Sequence, residues 1–272
     1  MKNLVIVVIL TFLLGAINID FAFSQDKELW DWKIPYGTKS IVEKKIKVSG
    51  AQEILQDSVV YAFNKEGKLI DIILENSEPI NRKEFIYNTV GKIKEERWYY
   101  LSTVQLKYFY EYEKNGVLEK VILHKTNSDE IENSYTYDMK GRLSSVNSSI
   151  PVKFKIENFY NLKDQKFKTI FSSNSATQKE LNYLFDDNGK IIQQTILISQ
   201  KSSSTAKKYQ MSKITFEYDT TGKLIKKNNF IAEDLSESFI YSYDEQGNLD
   251  KWEKFDAQKN LVYRVKYEYQ KF

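Results

Sequence analysis

The residues of this chain that could do covalent or metal chemistry are few and poorly matched to one another. Its single histidine, His124, stands in the segment VILHKT. A serine or cysteine nucleophile would need that imidazole as its base. No G-x-S-x-G phrase is present, and there is no cysteine. Zinc sites need several His or Cys ligands together, so no metal is expected. Asp186-Asp187-Asn188-Gly189 resembles the start of a calcium loop. A full loop needs further oxygen ligands and a bidentate glutamate, and this stretch coincides with a turn explained below. Carboxylates are numerous, but nothing singles out the pair that glycoside hydrolysis requires. The reading is therefore no catalytic set, no cofactor and no metal. Aromatic residues offer a different chemistry. Trp98, Tyr100 and Trp252 fall outside the repeated aromatic positions and could stack on sugar rings, which take apolar area plus a polar tip. Core or rim packing is the competing reading for these three.

The elements that would position such residues are written as a repeat. The phrases are YAFNKEGKL (61–69), FIYNTVGKI (85–93), YEYEKNGVL (110–118), YTYDMKGRL (135–143), YLFDDNGKI (183–191), FEYDTTGKL (216–224) and YSYDEQGNL (241–249). Their glycines are Gly67, Gly91, Gly116, Gly141, Gly189, Gly222 and Gly247, spaced by 24, 25, 25, 48, 33 and 25 residues. The interval of 48 reads as two periods with one glycine lost. A fixed period of this size means a repeat architecture. Aromatic residues stand four and six places before every one of these glycines. Positions two apart on a strand share a face, so each repeat presents two rings on one side. The Asp, Asn or Glu three places before the glycine predicts a type I turn closed by a left-handed glycine, the hairpin loop with a bulge. Asp138 with Arg142, Asp186 with Lys190 and Asp219 with Lys223 would then face each other across the strands, and Tyr137, Tyr218 and Tyr243 would face Leu143, Leu224 and Leu249.

Polar, turn-rich segments lie midway between successive glycines, so each repeat is two strands with two turns. The whole predicts an all-β antiparallel meander of about eight hairpins. Open sheets of that size curl or split, so the ring-bearing face should roll inward as a twisted or spiral, open, barrel-like sheet. Two departures stand out. YNLKDQKF (160–167) lacks the glycine and reads as about one residue out of phase, which predicts a bulge or longer loop. The long interval before Gly222 places extra length in a Ser/Lys-rich loop at 199–208, expected to be mobile. Upstream, residues 25–56 read as an arm or cap followed by a leading strand pair, ahead of a repeat domain at 57–272. Such a cap would close an otherwise open edge.

The phrase Y-x-Y-D-x-x-G-x-L at 135, 216 and 241 resembles the YD-repeat, or RHS-repeat, family. The resemblance spans roughly residues 59–272 and is looser in the first two copies, where Asn replaces Asp. It implies a long antiparallel sheet that curls on itself in exported or cell-surface bacterial proteins, whose roles include adhesion, carbohydrate binding and shells around toxins. It brings no general catalytic set.

The chain opens with Met1-Lys2-Asn3, an apolar run over 4–17, and Ala22-Phe23-Ser24 ahead of polar residues. This reads as a signal peptide over 1–24, with an exported product that is periplasmic, cell-surface or extracellular and has no membrane span after cleavage. Charge is balanced, 40 Lys+Arg against 37 Asp+Glu, far from a nucleic-acid footprint. The functional expectation is a secreted, non-catalytic scaffold that binds an envelope polysaccharide or a partner protein. The alternatives are a secreted hydrolase acting on envelope glycans and an outer-membrane β-barrel. Against the last, Gln270, Glu268 and Lys266 share the phase of Phe272, where a barrel's closing strand should be apolar.

Overall fold

The structure, a computed structural model, describes residues 34–75, 80–125, 131–148, 153–173, 176–200 and 208–272. The segment read as a signal peptide, most of the leading arm (with Trp30 and Trp32) and the centre of the Ser/Lys-rich loop lie outside them. Eighteen strands follow one another: β1 (Thr38–Ser49), β2 (Gln52–Phe63), β3 (Leu69–Leu74), β4 (Arg82–Tyr87), β5 (Ile93–Tyr100), β6 (Thr103–Tyr112), β7 (Leu118–Lys125), β8 (Ile131–Tyr137), β9 (Leu143–Ser148), β10 (Phe154–Tyr160), β11 (Lys166–Ser173), β12 (Ala176–Phe185), β13 (Ile191–Gln200), β14 (Lys208–Tyr218), β15 (Leu224–Ile231), β16 (Asp234–Tyr243), β17 (Leu249–Asp256) and β18 (Leu261–Lys271). Each pairs antiparallel with the next, and β1 also pairs antiparallel with β18 along nearly its whole length, from Thr38 opposite Lys271 to Lys47 opposite Tyr263. The sheet is therefore a closed barrel. The expectation of an open, spiral sheet with a capped edge is corrected here, because the leading strand pair supplies the last wall strand and joins the two edges. Closure leaves no row of unpaired backbone groups of the kind an open edge exposes.

All eight hairpins that begin with an even-numbered strand turn at the same end, the glycine rim, by one hydrogen-bond scheme. In the β14–β15 hairpin the Gly222 N–H donates to Asp219 O at 2.9 Å and the Asp219 N–H donates to Lys223 O at 2.9 Å. Asp219 Oδ1 also accepts the backbone N–H groups of Thr221 and Lys223, at 2.8 and 2.9 Å. The seven repeat glycines all have φ between +76° and +86°, a conformation that costs a residue with a Cβ about 1–2 kcal/mol. The degenerate copy is not out of phase. Asn161 and Asp164 make the same two bonds, and Asp164 takes the glycine's place at φ +63°. Aspartate is one of the few side chains that tolerates this region. In that copy one of the two aromatic slots holds Asn158.

Each glycine-rim hairpin carries a second irregularity just inside the turn. Tyr218 faces Leu224, as the sequence predicts, but Glu217 faces Lys226, so Ile225 is an extra residue. The same shift recurs at Phe63, Tyr87, Tyr112, Tyr137, Tyr160, Phe185 and Tyr243. Bulges bend the strand and increase its twist, so a bend repeated in every hairpin favours a curled wall. The second rim is built from more varied turns, among them Leu101 and Ala232 with φ of +52° and +54°.

Inward and outward faces follow from the register. Ile41 faces Tyr61, Tyr61 faces Ile72, Ile72 faces Lys83 and Lys83 faces Trp98, one row running across β1 to β5. Tyr135, Val146, Ile156 and Phe171 continue the pattern over β8 to β11. The buried core residues of the strands share this phase, and the core divides into two clusters. One runs through β14–β18 and β1–β3, around Ile41, Tyr61, Phe216, Leu224 and Val265; the other holds Trp98, Tyr108, Val121 and Leu123 on β5–β7. The opposite phase carries ion pairs, and it is the outer wall.

Candidate functional site

The inward face is aromatic but not purely apolar. Among the carboxylates set into it, Glu43 and Glu96 are each held by a tyrosine and close to a tryptophan. On β1, Glu43 Oε2 accepts the Tyr61 hydroxyl at 3.0 Å, and the Trp252 indole N–H donates to the Tyr267 hydroxyl beside them at 3.1 Å. Burial pushes the Glu43 carboxyl above its usual range; hydrogen bonds from Tyr61 and Tyr267 oppose that, as does Lys45, while Asp57 adds to it. The same surroundings push both phenols well above the tyrosine norm, burial first and the Glu43 charge next. On β5, Glu96 accepts the Trp98 indole N–H on one oxygen and the Tyr110 hydroxyl on the other, at 2.8 Å. The Lys83 ammonium lies 3.9 Å from the centre of the Trp98 ring. Lys227 and Lys254 sit over Phe239 in the same manner, at 4.3 and 5.9 Å. Ammoniums held against ring faces gain electrostatic attraction that strengthens with desolvation. Chemically, this wall can stack on flat apolar faces and offer fixed hydrogen-bonding groups beside them.

The three aromatic residues singled out from the sequence do not form one surface. Trp98 points inward and is 5% exposed. Trp252 also points inward, six strands around the wall, where it packs against Phe239 and Tyr263 with ring centres 5.7 and 5.4 Å away. Tyr100 ends β5 at the second rim and is 38% exposed. The inward lysines and glutamates escaped the sequence reading. The signal for them was available, because Lys83 and Glu96 occupy strand positions in phase with the aromatic slots once β4 and β5 are placed. His124 faces outward, edge-on to Phe109 at 4.9 Å. Among the described residues no group of three or more His, Cys, Asp or Glu is arranged to hold a metal ion.

A second organised feature lies along the glycine rim. Tyr87, Tyr112, Tyr160, Tyr218, Tyr243 and Tyr269 each donate a hydroxyl hydrogen bond to the backbone carbonyl two residues past the preceding turn's glycine position, from Leu69 to Leu249, at 2.6–2.9 Å. Pairing between neighbouring hairpins stops short of this rim: β13 and β14, for example, begin at Gln193 opposite Thr215. The bulged strand leaves that carbonyl without a ladder partner, and the phenol supplies one. The cation after the glycine covers the clasp. Lys190 donates to Gly222 O at 2.7 Å and stands 5.0 Å over the Tyr218 ring; Lys92 repeats the bond to Gly116 O over Tyr112. Lys223 lies 5.0 Å over Tyr243. These lysines thus reach forward to the next hairpin, whereas Arg142 makes the predicted pair with Asp138, at 2.6 Å.

The outer wall holds Arg82 with Asp71, Arg97 with Glu84 and Glu95, Arg264 with Glu253 and Glu53, and Lys168 with Glu180. A wall facing lipid would be an apolar band, and each such charge at mid-bilayer would cost about 2–4 kcal/mol. Among the described residues there is no helix long and apolar enough to cross a membrane.

No family model and no curated protein matches the sequence. Among solved structures, the chain is similar at 12% identity and a TM-score of 0.38 to TcdB2-TccC3 without its hypervariable C-terminal region, over 81% of this chain and 15% of that one. TcdB2-TccC3 itself aligns at 12% identity and a TM-score of 0.34, over 82% of this chain and 15% of that one. A porin-like protein from Bacteroides uniformis ATCC 8492 aligns at 13% identity and a TM-score of 0.38, over 86% of this chain and 98% of that one.

Proposed function

We propose that this protein is an exported, non-catalytic β-repeat scaffold of the YD-repeat type that binds an envelope polysaccharide. The observation that carries the reading is the composition of the inward face, where indole and phenol rings alternate with fixed ammoniums and hydrogen-bonded carboxylates around Trp98 and Trp252. Sugar rings present apolar faces edged by hydroxyls, and this arrangement offers partners for both. Two further features support a scaffold. Both carboxylates are tied down by neutral hydroxyl and indole donors rather than poised against a nucleophile. The backbone is locked at one rim by the tyrosine clasps. The charged outer wall favours an aqueous setting over a lipid one.

The test is glycan-array binding of the secreted chain, alongside turnover assays on the same glycans. Saturable binding without product supports the proposal. Turnover would favour the hydrolase alternative, and no binding to any glycan, with capture of an envelope protein instead, would favour a protein partner.

A further inference from the structure

Each turn of the glycine rim lifts two residues clear of the wall, those between its first residue and its glycine, or Asp164 in the degenerate copy. The backbone bonds that close a type I turn make no demand on these two side chains, so their chemistry is open to the sequence. Three successive turns carry polar tips: Asp187 and Asn188, Thr220 and Thr221, Glu245 and Gln246. The other five differ. From the β2–β3 turn to the β10–β11 turn the tips include Lys65, then Val90, then Lys114, then Met139 with Lys140, then Leu162 with Lys163. Among the described residues the four most exposed large apolar side chains are Met139, Leu162, Tyr36 and Val90, the last of them 75% exposed. Tyr36 stands at the same rim, next to the Gly37 carbonyl that meets Phe272. All four therefore share one arc, running from the β1–β18 seam to β11. They bury nothing, so core packing does not account for them.

The same arc is the basic part of the rim. Lys65, Lys114 and Lys163 enter no ion pair among the described residues. Lys140 pairs with Asp164 at 2.7 Å, but both side chains are more than half exposed, and such a pair competes weakly with a new partner. Glu66, the tip carboxylate on this arc, is taken up by Lys68 at 2.7 Å. The other three tips have the carboxylates of Asp187 and Glu245 and no lysine.

Spacing narrows the choice of occupant. Neighbouring turns are two strands apart, about 10 Å along the rim. The apolar tips are thus islands among ammoniums, not the contiguous apolar patch that marks a protein contact. The boundary of a bilayer takes such groups one at a time: acyl chains accept apolar tips, and headgroup phosphates accept ammoniums. We infer that this arc of the glycine rim docks the barrel on an anionic lipid surface. Val90, Met139 and Leu162 enter the acyl boundary, and the four lysines meet the phosphates. The acidic arc is held off, and the ion-paired outer wall stays in water.

The experiment is sedimentation of the secreted chain with sucrose-loaded vesicles, of phosphatidylcholine alone or with a quarter of phosphatidylglycerol. The parent should bind the anionic vesicles about tenfold more tightly or better. Met139→Ser/Leu162→Ser and Lys114→Gln/Lys163→Gln should each weaken that binding about tenfold. Asp187→Asn/Glu245→Gln, on the opposite arc, should not weaken it. All three pairs alter exposed tips alone and should melt with the parent. Equal binding to both kinds of vesicle, or binding that either of the first two pairs leaves unchanged, overturns the inference. So does an absence of vesicle binding together with a lipid-free dimer, seen by sedimentation equilibrium, that Met139→Ser/Leu162→Ser dissociates; the arc would then join two copies of the chain.

Discussion

At the scale of the residue, two tyrosine settings make opposite demands. The rim tyrosines act through their hydroxyls. Tyr218 and Tyr243 are both pushed up to about 12, by burial first and then by the neighbouring Asp186 and Asp219 charges. Tyr243→Phe keeps the ring and its lysine contact but unpairs Leu224 O. Chemical denaturation should show a loss of about 0.5–1.5 kcal/mol. Absorbance titration should show these two phenols ionising near pH 12, later than ordinary tyrosines. A raised phenol stabilises the fold below its unfolded pKa and loses that contribution as pH climbs through the folded value, so alkaline unfolding should begin in that range. Glu43 is the interior counterpart. Its folded pKa is raised, so its favourable contribution is present in acid, below the unfolded value of about 4.3, and is lost as pH rises through the folded one. Glu43→Gln keeps an acceptor for Tyr61 and removes the charge. The variant should melt with the parent near pH 4 and above it at pH 7–8; a difference that does not grow with pH would contradict the account.

At the scale of the element, the hairpin turn was written in the sequence almost completely, because Asx, glycine and aromatic residues at fixed offsets each answer a local steric demand. What was not legible was anything that depended on the next hairpin. Lys190 and Lys223 look like partners for Asp186 and Asp219 when one turn is considered alone; the neighbouring turn places a free carbonyl and a ring within their reach instead. Asn161 to Asp164 was misread for a similar reason, since glycine was taken as the mark of the turn when the φ value is what the turn requires. Asp164→Gly should therefore leave stability unchanged or raise it by a few tenths of a kcal/mol, because its ion pairs with Lys140 and Arg142 are exposed and contribute little. Gly222→Ala runs the other way. It should cost about 1–2 kcal/mol for the left-handed backbone, with a further loss as Lys190 is displaced by the new methyl group. Gly141→Ala, whose added carbon would meet nothing within 4 Å, should cost only the first part. Equal losses at the two glycines, measured by urea titration, would show that the forward-reaching lysine is dispensable.

At the scale of the molecule, inward rolling of the aromatic face was predictable from the number of strands, but closure was not. It depends on β1 matching β18 residue for residue, and two strands at opposite ends of a sequence carry no local signal of their pairing. The same holds for the candidate site. Trp98 and Trp252 could be picked out as unusual aromatics, yet their distance around the wall, and the carboxylates beside them, follow only from the register. Closure also brings the start of β1 and the end of β18 together at the glycine rim, where the Phe272 N–H donates to Gly37 O at 3.0 Å. A circular permutant that joins 272 to 37 by a short linker and opens at Ala232–Glu233 should keep the β-sheet circular-dichroism spectrum and cooperative melting of the parent, since ends that lie close at the surface tolerate rejoining. Loss of cooperative melting would argue against the β1–β18 seam. The seam has one more implication. With the last strand antiparallel to the first, only an even number of strands can complete the circle. A barrel built on this plan could widen or narrow only in whole-hairpin steps, each adding or removing about 10 Å of girth, never by a single strand.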